Sequence, residues 1–156
     1  MRLTCLLLVV LLGVYLPAHA GHSPPKVVLR VHVQTTGEGL SAQEATTITL
    51  PPNGEQIQVR TLPDVSEQQL IAIEQDPSGN VHLHFNHVGQ VSLSAVTAEN
   101  QGRILVVLVN GYVVYAPIID QQITNGELDL PHALNPQIIQ NLKEVAQHNV
   151  RQAAKT

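Results

Sequence analysis

Apolar and polar residues alternate over 26–34: Val27, Leu29, Val31 and Val33 share one face, and Val28, Arg30, His32 and Gln34 the other. That is the period of a half-buried strand. Two further strands are predicted over 46–50 and 56–61, joined by the turn Pro51-Pro52-Asn53-Gly54. After Pro63, Ser66 and Gln69 stand at capping-box spacing ahead of Leu70, Ile71 and Ile73, which predicts a helix ending before Pro77-Ser78-Gly79.

The second half is more regular. Val81, Leu83 and Phe85 alternate with His82, His84 and Asn86, a strand with one wet face that Gly89 is expected to end. A helix is predicted over 91–101, with Leu93, Val96 and Asn100 at helical spacing and Gly102 as its left-handed terminator. The unbroken apolar run 104–109 suits a central strand covered on both faces. Asn110-Gly111 is a strong hairpin signal that returns the chain through Tyr112 to Tyr115, and Pro117 interrupts the pairing. A short strand is expected over 127–130. Asn135-Pro136 then opens a last helix whose buried stripe is Ile138, Ile139, Leu142, Val145 and Ala146. The economical fold class is α+β, a mostly antiparallel sheet with two to three helices packed on one face.

The first twenty residues carry a different signal. Arg2 supplies a basic start, 6–16 form an apolar stretch broken only by Gly13 and Tyr15, and Ala18-His19-Ala20 places small residues where a signal peptidase reads. The apolar run is shorter than the ~20 residues that span a bilayer. The expected organisation is a cleavable leader over 1–20, cut after Ala20, a tether over 21–26, one domain over 27–150 and a tail over 151–156. The destination is the periplasm or the exterior. Cys5 is the only cysteine and falls in the leader, so disulfides and thiol catalysis are excluded from the exported part.

Composition narrows the function. The formal charge is -4, Arg2 is the leader's one charged residue, and no basic stripe occurs, which argues against nucleic acid or an anionic membrane surface as partner. Aromatic residues are 3% with no Trp, too few for a base-stacking platform. No Gly-x-Ser-x-Gly elbow, phosphate-binding Gly-rich loop or dinucleotide fingerprint is present. Asp120 and Glu127 near the second hairpin are the available acid pair for a small hydrolase, and solvated charge is the simpler reading. Tyr112 and Tyr115 offer a contact patch or packing over a sheet edge. No catalytic set and no cofactor are expected.

The histidines are the remaining chemistry. His82 and His84 project from one face of their strand and His87 lies just beyond. Were the 26–34 strand adjacent, His32 would join them in a zinc or copper site. A solvated histidine-bearing sheet face is the plainer reading.

Gly102-Arg103, the apolar run, Asn110-Gly111, Val113-Val114, Ala116-Pro117, Ile123 and Gly126 together resemble the signature of the SecD protein-export family in its periplasmic head subdomain. Gly89, Thr97 and Asn100 fit the spacing of the helix that precedes that signature, and Leu62-Pro63 with Ser66 fit the start of an earlier one. The resemblance covers roughly 27–147. It implies a ferredoxin-like fold and relatives that help handle polypeptide emerging from the translocon. In that family the subdomain is inserted between transmembrane helices; no spanning segment follows the leader here, so a freestanding head is implied. The expected function is therefore a non-enzymatic binding module for extended polypeptide or an envelope protein. A metal-binding accessory domain and a small hydrolase are the alternatives.

Overall fold

A computed structural model describes residues 27–155 except 38, 40, 42, 132 and 133. The expected leader and tether lie outside the described residues. Among those described, no helix is long and apolar enough to cross a membrane.

The described residues form nine strands and two α-helices: β1 (Leu29–Thr35), β2 (Ala45–Leu50), β3 (Glu55–Arg60), β4 (Val65–Ser66), β5 (Leu70–Gln75), β6 (Val81–Phe85), α1 (His87–Glu99), β7 (Leu105–Val109), β8 (Tyr112–Tyr115), β9 (Glu127–Leu130) and α2 (Pro136–Ala153). The pairings among these strands are antiparallel. The strands divide into two sheets, one ordered β2-β3-β1-β7-β8 with β4 also on β1, the other β5-β6-β9. The α+β class holds. Helix α2 continues through Arg151 to Ala153, into the segment set apart as a tail.

The main core lies between the inner faces of the two sheets and the helices. Leu29, Val31, Leu105, Leu83, Leu93 and Leu142 are all fully buried in it. A smaller core explains the apolar run of β7. Val107 and Val109 face the main core, while Val106 and Leu108 point the other way and are covered by Leu50, Ile57 and Val59 of the β2–β3 hairpin. The second face of the central strand is thus buried under a hairpin rather than a helix.

Two expectations are corrected. Ser66 and Gln69 do form the capping box, but it closes a single 3-10 turn over Glu67–Gln69, and Leu70–Gln75 runs on as strand β5. A register shift between Leu70 and Ala72 lets Leu70 and Ile73, three apart, both face inward. The spacing that suggested a helix is the mark of a β-bulge.

Gly89 does not end β6. It lies in the first turn of α1, capped by Asn86, whose side chain accepts a hydrogen bond from the Gly89 amide at 3.0 Å. A Cβ at Gly89 would stand 2.8 Å from the Cβ atoms of Gln69 and Phe85, so glycine is required for close approach and not for a stop.

The Asn110-Gly111 turn has positive φ at both residues, 51° and 84°, as a two-residue hairpin with matching twist demands. Asn110 also accepts from the Val28 amide at 2.9 Å through its side chain and donates its own amide to the Val28 carbonyl, which fastens the turn to the start of β1.

Candidate binding groove between two sheet edges

Strand β8 ends one sheet and β9 ends the other, and among the described residues each has a single partner strand. Between them the segment 117–125 lines a groove of about 430 Å3. Buried Leu105, Ile119 and Leu128 give it an apolar floor, and Tyr115 and the two-thirds exposed Ile118 stand at its side. The remaining wall is polar, with Asp120, Glu127 and Asp129 set among Gln121, Gln122, Thr124 and Asn125.

Part of the residue set that carries the export-family resemblance meets at this groove. Leu105 donates its amide to the Pro117 carbonyl, Gly102 to Ile119, and Ile119 in return to Arg103, so 117–119 runs beside 102–105. Thr97 is fully buried on α1; its hydroxyl donates to the Leu93 carbonyl at 2.7 Å and accepts from the Ile123 amide at 2.9 Å. Gln90 donates to the Thr124 carbonyl and Gln122 to the Ser94 hydroxyl, adding two ties between α1 and the groove segment. Gly126 packs on Gln90, where a Cβ would come within 2.9 Å of the Gln90 Cβ. Asn100 donates to the Val96 carbonyl at the end of α1, and Ala116 packs against the smaller core. Thr97, Gly102, Arg103, Pro117, Ile123 and Gly126 thus take part in the bonds and contacts that hold one irregular segment.

The histidines are not brought together as a set. Strand β1 pairs with β3, β4 and β7, so it is not a neighbour of β6, and His32 lies in the other sheet from His82 and His84. His32 is buried on the outer face of β1, lining a cavity of about 510 Å3 with Thr46, Ile48 and Leu108. His87 is exposed on the first turn of α1.

On the outer face of the smaller sheet, two rungs cross β6: Glu74, His82 and Asp129 in one, Ala72, His84 and Glu127 in the next. His82 Nδ1 lies 2.6 Å from Asp129 Oδ1 and 3.6 Å from Glu127 Oε1, and its Nε2 is 3.9 Å from Asp76 Oδ2. Its pKa is raised, first by the Asp129 hydrogen bond and then by the charges of Asp129, Asp76 and Glu127, against partial burial. The Asp76 carboxyl is held low, chiefly by the Asn80 side chain. Asp129 was missed from sequence. The signal was its alternation with buried Leu128 and Leu130, which places Glu127 and Asp129 on the face that His82 occupies.

Burial pulls the His32 pKa down, a hydrogen bond to the Arg60 backbone opposes this, and the nearby Arg30 charge adds to it. Its Nδ1 is buried without a hydrogen-bond partner among the described residues. A histidine of lowered folded pKa contributes stability that is complete above its unfolded value of about 6.5 and is lost as the pH falls through the folded value. His82, raised, works in the opposite sense. Replacing His32 by Leu removes the buried polar atom and that dependence. Urea midpoints measured at pH 7.5 and 5 are expected to fall less for His32→Leu than for the wild type; equal falls would contradict this.

A depression of about 280 Å3 between the end of β1 and α1 is lined by Arg60, Asp64, Glu99 and Arg103. Burial raises the Asp64 pKa, and its carboxylate accepts from the Val33 amide at 3.0 Å, a structural role.

No family model and no curated protein matches the sequence. Solved structures do. One, of SecDF as a membrane component that enhances protein export, superposes with a TM-score of 0.53 at 20% identity over 78% of this chain. The fold is SecDF-like. A crystal structure of SecDF in a super-membrane-facing form gives a TM-score of 0.54, again at 20% identity over 78% of this chain. The chain covers 62% of the first SecDF chain and 18% of the second, so the likeness is to part of a larger protein.

Proposed function

We propose that this is an exported, non-enzymatic module that binds extended polypeptide in the groove between β8 and β9. The observation that carries the reading is an apolar-floored groove flanked by two terminal strands, since an open strand edge and alternating pockets are what an extended chain needs for recognition. The carboxylates of Asp120, Glu127 and Asp129 on its wall favour segments bearing lysine or arginine. The SecDF-like fold supports a connection with protein export, and the leader-like first twenty residues support a periplasmic or extracellular site of action.

Titration of a labelled, unstructured lysine-containing peptide by fluorescence anisotropy tests the reading. Ile118→Ser removes exposed apolar surface at the groove and is expected to weaken binding by about 1 kcal/mol, roughly fivefold in Kd. Asp120→Asn is expected to cost about two- to threefold and to flatten the salt dependence. Binding that ignores both variants, or no binding, would refute the proposal.

A further inference from the structure

The acid-rich face beside the groove presents a donor set of one imidazole and two carboxylates, the latter shared with the groove wall. We infer that His82, Glu127 and Asp129 form a site for one divalent metal ion of the zinc class. The inference is independent of the polypeptide reading.

One donor atom from each residue, His82 Nδ1 and a carboxylate oxygen of Glu127 and of Asp129, lies within 4.8 Å of the other two. Donors on a tetrahedral ion at ~2.1 Å stand roughly 3.4 Å apart. Glu127 Oε1 is already at 3.6 Å from His82 Nδ1. Asp129, at 2.6 Å, must withdraw slightly; its side chain is two-thirds exposed and free to do so. All three residues sit on paired strands, with His82 opposite Asp129 and His84 opposite Glu127, so the backbone holds the donors in register.

The surrounding groups fit the role. Metal-bound imidazoles keep an outer carboxylate on the second ring nitrogen, which fixes the tautomer. Asp76 stands on that side of His82, 3.9 Å from Nε2, and is itself locked by Asn80, whose side chain donates at 2.7 Å and whose amide donates at 2.9 Å. Asn125 donates to Glu127 Oε2 at 3.4 Å, leaving Oε1 turned toward His82. Three carboxylates stand around the neutral ring, and a bound dication would cut their summed charge from -3 to -1. Two carboxylates and one imidazole are a hard-to-borderline set, which suits zinc over cuprous copper. His84 lies one rung away with its Nε2 buried and unpartnered and belongs to no three-donor group among the described residues.

Zinc chloride titrated calorimetrically into the untagged, chelator-treated protein is expected to bind at one ion per chain. His82→Gln and Asp129→Asn should each weaken that binding at least tenfold while both variants stay folded at pH 7.5, since glutamine keeps a polar group at the half-buried His82 position and Asp129 is two-thirds exposed. His84→Gln and His87→Gln should leave it intact. X-ray absorption of the zinc-loaded protein should show only nitrogen and oxygen neighbours with a single imidazole. Absence of stoichiometric binding, or binding that survives His82→Gln, would overturn the inference. Peptide affinity is measured separately, on chelator-treated protein with the Ile118 variant, because Glu127 and Asp129 also line the groove.

Discussion

Gly89→Ala is expected to destabilise the fold by about 2–3 kcal/mol, lowering Tm by roughly 10 °C. Helix propensity alone gives the opposite sign, since alanine in place of a helical glycine ordinarily gains up to about 1 kcal/mol. Packing decides here. The added methyl would lie 2.8 Å from the Cβ atoms of both Gln69 and Phe85, neither of which is the far end of a flexible side chain. Phe85 is buried in the main core, and Gln69 is fixed by the capping box, where its side chain accepts from the Ser66 amide at 2.9 Å. Relief therefore requires α1 to move off the 3-10 turn. Thermal unfolding followed by circular dichroism reads the sign, and a variant as stable as the wild type would show that α1 is not seated this closely.

Thr97→Val should cost about 1–3 kcal/mol although the two side chains have nearly the same shape. The hydroxyl is fully buried and is the acceptor for the Ile123 amide, so valine leaves that amide without its partner in an apolar setting. Thr97→Ser keeps the hydroxyl and should recover most of the loss. The damage should be local before it is global: hydrogen exchange at Ile123 should accelerate, and peptide affinity should drop because the groove segment is no longer pinned to α1. Urea denaturation and exchange at single amides measure both. A valine variant equal to wild type in each would remove Thr97 from its positioning role.

Much of this fold is readable from local pattern, and the failures have physical causes. β1, β6, β7 and the Asn110-Gly111 hairpin are legible because strand alternation and turn chemistry are local properties. The caps at Asn135 and Ser66 are legible for the same reason, since Asn135 accepts from the Gln137 amide at 2.8 Å as its spacing implied. Strand β5 is not legible, because a bulge reproduces helical spacing over the few residues from Leu70 to Ile73. Gly89 reads as a breaker from sequence, and only the approach of Gln69 and Phe85 reveals its use.

The candidate site divides in the same way. The proline, threonine and Gly126 positions of the family resemblance are visible one by one, but their convergence on 116–126 depends on long-range pairing of α1 with the residues after β8. His32 was separated from His82 by the division of the strands into two sheets, which alternation cannot report, since it gives the face of a strand and not its neighbour. Asp129 was within reach, because Leu128 and Leu130 already placed it on the wet face.

The central claim is that an extended chain lies between β8 and β9. Hydrogen exchange of the protein with and without the unstructured lysine-containing peptide tests it most directly, because protection maps the bound face without any substitution. The account predicts slowed exchange over 112–129, covering both terminal strands and the segment between them, with the amides of the β2–β3 hairpin unchanged. Protection confined to that hairpin, or no change over 112–129 at saturating peptide, would contradict it.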